Sequence, residues 1–337
     1  MKRITVIGAG VAGLTTAFAL AERGAEVTVI ERGSAVGETS CSRYAGGMLA
    51  PWCERESTDP LVLSLGQEAV SFWAKICNST VENGTLVLAQ RRDLAELDRF
   101  GRRTSEYEVL DSAGIAALEP ALAGRFQRGL FFKREGHTDP RKALLMLAAR
   151  LEAMGVRFVF GTDGLASQGD ADLVVDCRGL AAKDELSDLR GVKGEMLILR
   201  CPEIALKRPI RLLHPRIPFY VVPRENGLHM VGATMIESED RTRITARSMV
   251  ELINSAHALH PAFAEAEIVE IGTDARPAFP DNLPRIRRRG DIVYVNGLYR
   301  HGFLLSPALA RMAASAIFDG AYFPEVMDET DSQRRCA

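Results

Sequence analysis

No stretch of this chain reaches the roughly 18 uninterrupted apolar residues of a membrane span, so a membrane-spanning protein is not expected. A surplus of one charge is missing as well: 42 Lys and Arg against 44 Asp and Glu leave a formal net charge of −2. That balance predicts no general attraction to nucleic acid or to acidic membranes. Arg285, Arg287, Arg288 and Arg289 form the one basic cluster, read as a solvated turn before the next strand. Paired cysteine motifs are absent. The six cysteines, at 41, 53, 77, 177, 201 and 336, show neither C-x-x-C nor metal-ligand spacing, which points to a reducing, cytoplasmic compartment. His257 and His260 can share a helix face, but no third ligand is near, so no metal site is expected. Internal repeats and low-complexity segments are lacking. Lys2-Arg3 before an apolar run imitates a leader, yet cleavage would remove the glycine turn described next, and that reading is rejected.

What is present begins at Ile4. Ile4-Thr5-Val6-Ile7 is apolar and β-branched, as a buried parallel strand requires. It enters Gly8-Ala9-Gly10-Val11-Ala12-Gly13, a G-x-G-x-x-G turn, followed by an amphipathic helix to about Arg23 with Gly24 as its stop. A second strand, Glu26 to Ile30, ends in Glu31. Gly8 allows the tight turn, Gly10 leaves room for a pyrophosphate, and Gly13 lets helix and strand pack closely. The helix N-terminus offers free amides and a positive dipole end to phosphate. Glu31 can accept hydrogen bonds from an adenosine ribose, and its charge disfavours the 2′-phosphate of NADP. The motif alone does not separate FAD from NAD.

With 337 residues, 47% of them hydrophobic and 26% charged, two domains and a large core are expected. Arg32 to Pro60 reads as a long, functional loop around Gly46-Gly47-Met48-Leu49-Ala50-Pro51. A helix is expected over Leu61–Ile76, and another follows the N-cap Asp139 and Pro140. Val156–Phe160 and Asp172–Cys177 return to the first sheet. Gly194–Arg200, Phe219–Pro223 and His229–Gly232 suggest a separate antiparallel sheet. Asp291–Asn296 is a further strand, leading through Gly297 and Gly302 to a helix after Pro307. The fold class expected is therefore α/β, a Rossmann-like dinucleotide-binding domain interleaved with an antiparallel-sheet substrate domain. The first is assigned residues 1–80, 138–190 and 270–325, the second 81–137 and 191–269, and 326–337 form a tail, expected to be polar and disordered from Asp328 to Ala337.

Four segments resemble the D-amino-acid oxidase family of FAD-dependent amine oxidases, and within it the glycine oxidases. They are the turn through Glu31; Ser40 to Pro51; Tyr220-Val221-Val222-Pro223-Arg224 with Gly232-Ala233-Thr234-Met235; and Ala275-Arg276-Pro277 with Asn296 to Pro307. The resemblance implies FAD as cofactor. Its expected contacts are Gly8, Gly10, Val11, Ala12, Gly13, Glu31 and Arg32 at the adenosine end. Cys41, Ser42, Gly46, Gly47 and Met48 would run along the pyrophosphate and isoalloxazine, and Leu298, Tyr299, Arg300, His301, Gly302, Phe303 and Leu304 along the pyrimidine edge. Arg276 would bind the substrate carboxylate, with Arg300, Tyr220 and Met235 facing the substrate and no general base required. The implied reaction is oxidation of glycine, with sarcosine or small D-amino acids as further candidate substrates, to the imino acid with release of hydrogen peroxide, in the thiazole branch of thiamine biosynthesis. The alternatives are a D-amino acid dehydrogenase or oxidase of another role and a tRNA-modifying flavoprotein. Partners are a small amino acid and O2, and a homo-oligomer is expected.

Competing structural readings pair Arg276 with Asp274 or Asp281, pack Tyr220 and Met235 into a sheet or core, and use Arg300 to hold a loop. The chain departs from the family pattern at His301, where relatives carry Asn, at Cys177-Arg178-Gly179, and at the bulky Arg43-Tyr44.

Overall fold

The computed structural model describes residues 1–164, 170–214 and 218–328. Two sheets organise them. The first has six strands in the order Arg285–Arg289, Ile292–Asn296, Leu173–Asp176, Arg3–Ile7, Glu26–Glu31 and Arg157–Phe160. All pairs are parallel except the hairpin of the first two. Strand order steps outward from Arg3–Ile7 in both directions, so the loops leaving Ile7 and Asp176 open a crevice at their carboxyl ends. Helices Val11–Glu22 and Gly302–Asp319 share one core with this sheet, built on Ile4, Val6, Leu14, Val29, Val175, Leu305 and Leu309.

The second sheet has nine strands and a core of its own, around Leu86, Leu197, Phe219, Val231 and Leu252. It is antiparallel except where Ile210–Leu213 runs parallel to Thr85–Ala89. Its longest strands, Arg190–Arg200 and Glu267–Ala278, pair along their whole length. The strand Glu267–Ala278 alternates too weakly at its exposed start to be legible in the sequence. A boundary set at 270 falls inside it.

Several expectations are corrected. The arginine cluster is not a solvated turn: Arg285–Arg289 is a strand, with Arg285 paired to Asp281 and Asp328 and Arg287 to Asp188 and Asp328. Asp328 therefore does not begin a free tail, and Val326 is buried; 329–337 lie outside the described residues, as does Cys336. The expected helix Leu61–Ile76 is two helices, Pro60–Gly66 and Ala69–Ile76. The last helix starts at Gly302, and Pro307 sits inside it. Proline there removes the N–H that would bond the Phe303 carbonyl. The buried Trp73 indole N–H supplies the missing donor at 2.7 Å. Asp139 caps the helix Pro140–Ala153 as expected. Among the described residues no helix is long and apolar enough to cross a membrane, and no cluster of His, Cys, Asp or Glu could hold a metal.

Candidate active site

The glycine turn is dictated by close approach. Gly8 has φ of +102°, and a Cβ on Gly13 would sit 1.8 Å from the Gly8 carbonyl oxygen, so neither position admits a side chain. Gly10 supplies no side-chain cap and the first turn of Val11–Glu22 carries no acid of its own. Ser42 Oγ accepts from Val11 N at 3.1 Å, which ties the Ser40–Tyr44 turn to the helix start. Glu31 is buried: Oε2 accepts from Ala9 N at 2.8 Å, and Oε1 from Gly33 N and the Thr39 hydroxyl at 2.9 and 2.7 Å. Those bonds hold its carboxylate at the wall of a cavity of about 430 Å³ that runs between the two sheets.

The loop Gly46-Gly47 and the start of Gly302–Asp319 also line that cavity. Arg224 donates to the Gly46 carbonyl at 2.7 Å, which pins the loop to the second sheet, and Thr138 N, just before the helix Pro140–Ala153, donates to that of Gly47 at 2.9 Å. The Tyr220 ring packs against Gly46, where a Cβ would lie 2.7 Å from it. Burial pushes the Tyr220 phenol up, keeping it protonated, while the charges of Arg276, Glu54 and Arg300 bear on it. The helix Gly302–Asp319 has no acid in its first turn and no side-chain cap. Tyr299 just before it adopts φ of +50° and is held by its N–H on the Pro277 carbonyl at 3.0 Å.

Arg276 lies on the strand Glu267–Ala278, where Gly194 of the neighbouring strand gives it room: a Cβ there would be 2.1 Å from its Nη2. Its Nη1 donates to the Thr234 carbonyl at 3.0 Å. It pairs with neither expected acid. Asp274 pairs with Arg241 and Asp281 with Arg285, and no carboxylate among the described residues lies within ion-pair distance of Arg276. Arg300 is in the opposite state. Its Nη2 meets Glu54 Oε2 at 2.8 Å and the Ser57 hydroxyl at 2.9 Å, its Nε donates to His301 Nε2 at 3.1 Å, and its Nη1 touches Met235 Sδ at 3.4 Å. Glu54 Oε1 takes Arg211 at 3.2 Å. Burial would raise the Glu54 carboxyl, but Arg300 and Arg211 hold it well below the usual carboxylate range. Burial pushes His301 down despite its contact with Glu54, and its Nδ1 is buried with no partner among the described residues. Met235 is 42% exposed, so it is not core packing.

Every site residue expected from the sequence lines this one cavity, except Gly13, which packs helix against strand beneath it. Glu54, Arg211, Gly194 and the Arg241–Asp274 pair also line it and were not expected. Glu54 had a signal, a carboxylate three residues beyond Ala50-Pro51 in the functional loop; Arg211 and Gly194 had none, because only strand register brings them there. At the departures, Arg178 spends its charge on Asp176 and Asp184 at 2.8 and 2.9 Å, and Tyr44 packs over Gly272.

A family model described as FAD dependent oxidoreductase (DAO) matches residues 3–316. A protein of Rhizobium etli named putative thiamine biosynthesis oxidoreductase ThiO is 55% identical over 324 residues, 96% of this chain and 98% of its own. A glycine oxidase of Pseudomonas aeruginosa is 28% identical, with 93% of this chain and 94% of its own covered. The crystal structure of glycine oxidase from Geobacillus kaustophilus superposes with a TM-score of 0.82 over 98% of this chain and 100% of its own, at 22% identity, a likeness of fold.

Proposed function

The chain belongs to the DAO family of FAD-dependent oxidoreductases, and from that premise we propose that it oxidises glycine, and with it sarcosine or small D-amino acids, using O2 to give the imino acid and hydrogen peroxide. The thiazole branch of thiamine biosynthesis is the proposed context, in keeping with the name of the Rhizobium etli relative. One observation carries the reading: Arg276 is an arginine on the cavity wall with no acidic partner among the described residues. A part-buried guanidinium without a counter-charge is a receptor for a carboxylate, which it can grip at two points.

The cavity fits FAD. Two helix N-termini without a first-turn acid face it, Glu31 stands at its wall to take ribose hydroxyls, and the backbone of Gly8 and Gly10 lines it as an approach for phosphates. When bound, FAD supplies the acceptor for the hydride on the substrate Cα. The protein's residues position the substrate. Arg276 holds the carboxylate, with Nη1 fixed by Thr234. Tyr220, kept protonated by burial, is a neutral donor beside it. Glu54 and Asp274 are each held by arginines, and Glu195 by Thr234, so these acids are engaged and orientation is the main contribution. The N-terminus of Gly302–Asp319 favours negative charge beside it in the cavity. A homo-oligomer in the cytoplasm completes the proposal, and size-exclusion chromatography with light scattering tests the first part.

The test is peroxide release by the purified holoprotein with glycine, sarcosine, D-alanine and propylamine. Glycine is expected to be turned over; no peroxide from any carboxylated amine overturns the reading. Arg276→Lys should lower kcat/KM for glycine by roughly 2–4 kcal/mol while FAD stays bound, and that for propylamine much less. Equal losses on both would make Arg276 a support of the fold.

A further inference from the structure

We propose that Glu54 is a specificity-determining residue: it occupies Arg300 as an internal carboxylate and so restricts the site to substrates carrying a single carboxylate. The inference rests on the amine-oxidising reading above and sharpens its substrate class.

Two arginines share one cavity in different electrostatic states. Arg276 offers donors without an acidic partner among the described residues, whereas each nitrogen of Arg300 already has a partner within the protein: Glu54 and Ser57 on Nη2, His301 on Nε, Met235 on Nη1. Adjacent residues hold the two guanidinium groups, Thr234 through its carbonyl and Met235 through its sulfur, so both belong to one substrate chamber. Glu54 is not free to withdraw. Its second oxygen is taken by Arg211, which is itself buried and lies 5.3 Å from the centroid of the Phe100 ring. Moving Glu54 away would leave two shielded cations without a counter-charge. A substrate with one carboxylate is satisfied at Arg276. A second carboxylate has to expel Glu54 from Arg300 or stand beside it as a like charge, and both are unfavourable.

Sarcosine and iminodiacetate test this, because both are secondary amines and differ by one carboxylate. In the wild-type holoprotein kcat/KM should be far lower for iminodiacetate. Glu54→Gln, which keeps shape and removes charge, should raise the iminodiacetate-to-sarcosine ratio by about tenfold or more, the scale of one freed charge contact. In E54Q combined with Arg300→Leu the gain should vanish. An independent readout is the perturbation of the flavin absorption by malonate and by glycolate, where E54Q should tighten malonate relative to glycolate by a similar factor. Should E54Q fail to retain flavin, Glu54→Asp draws the carboxylate back from Arg300 and should shift both ratios the same way by less. An unchanged ratio in E54Q, or in E54D where that variant is used, overturns the proposal, as does a gain that survives loss of Arg300. If the wild type makes no peroxide from any amine, the functional reading fails, and the malonate titration alone decides the role of Glu54.

Discussion

Glu135 is wholly buried behind the active-site loop, with Oε1 accepting from Cys53 N at 2.7 Å. Burial pushes its carboxyl up to about 8, with Glu54 adding to the rise. The folded-state value thus lies above the unfolded one. Its contribution is fully present below the unfolded value, falls as pH rises towards 8, and is constant above. Glu135→Gln mimics the neutral acid and does not titrate. The melting temperature of E135Q relative to wild type should therefore climb between pH 5.5 and 8.5, by an amount on the order of several kcal/mol in stability. A difference that stays flat across that range would show that Glu135 is ionised in the fold. Glu31 differs, because its three hydrogen bonds to the glycine turn and the following loop fix its carboxylate at the cavity wall, where it is the proposed ribose acceptor.

At the scale of elements, the start of the helix Gly302–Asp319 lines the cavity, and its first turns depend on another helix. Pro307 leaves the Phe303 carbonyl without its helical donor, and Trp73 from Ala69–Ile76 fills the gap. Trp73→Phe should cost about 1–3 kcal/mol for the unpaired buried carbonyl, beyond the lost packing. In a Pro307→Ala background the same change should cost less, since the restored backbone N–H can bond the Phe303 carbonyl. Urea denaturation of the four proteins measures this, and identical costs in the two backgrounds would remove the indole from this role.

For the whole molecule, the cavity lies between two sheets with separate cores, so a bound cofactor joins them. FAD that binds only the folded protein should raise the melting temperature of flavin-free protein, with about 2.7 kcal/mol of added stability at 100 times its dissociation constant. The attachment should be non-covalent. Cys41 lines the cavity, but burial pushes its thiol up to about 12, which keeps it from acting as a thiolate. Acid precipitation should release free FAD; flavin retained in the pellet contradicts this.

The sequence by itself determined the features that are local. A glycine turn needs its glycines wherever the rest of the chain goes, and strand, turn, helix and Glu31 are consecutive, so Arg3–Glu31 was legible with its crevice. The capping of Pro140–Ala153 by Asp139 was legible for the same reason. Tertiary structure alone decided the charge states of the chamber. That Arg276 has no acid beside it among the described residues while Arg300 holds Glu54 depends on distant partners, with Thr234 42 residues from the first and Ser57 243 from the second. Strand register and one helix start bring them together. The same holds for Arg285–Arg289, whose charges read as solvated until Asp188 and Asp328 arrive from distant segments to pair with them. Coulomb interactions act through space over a few ångströms, and sequence spacing carries no record of which charges will come that close.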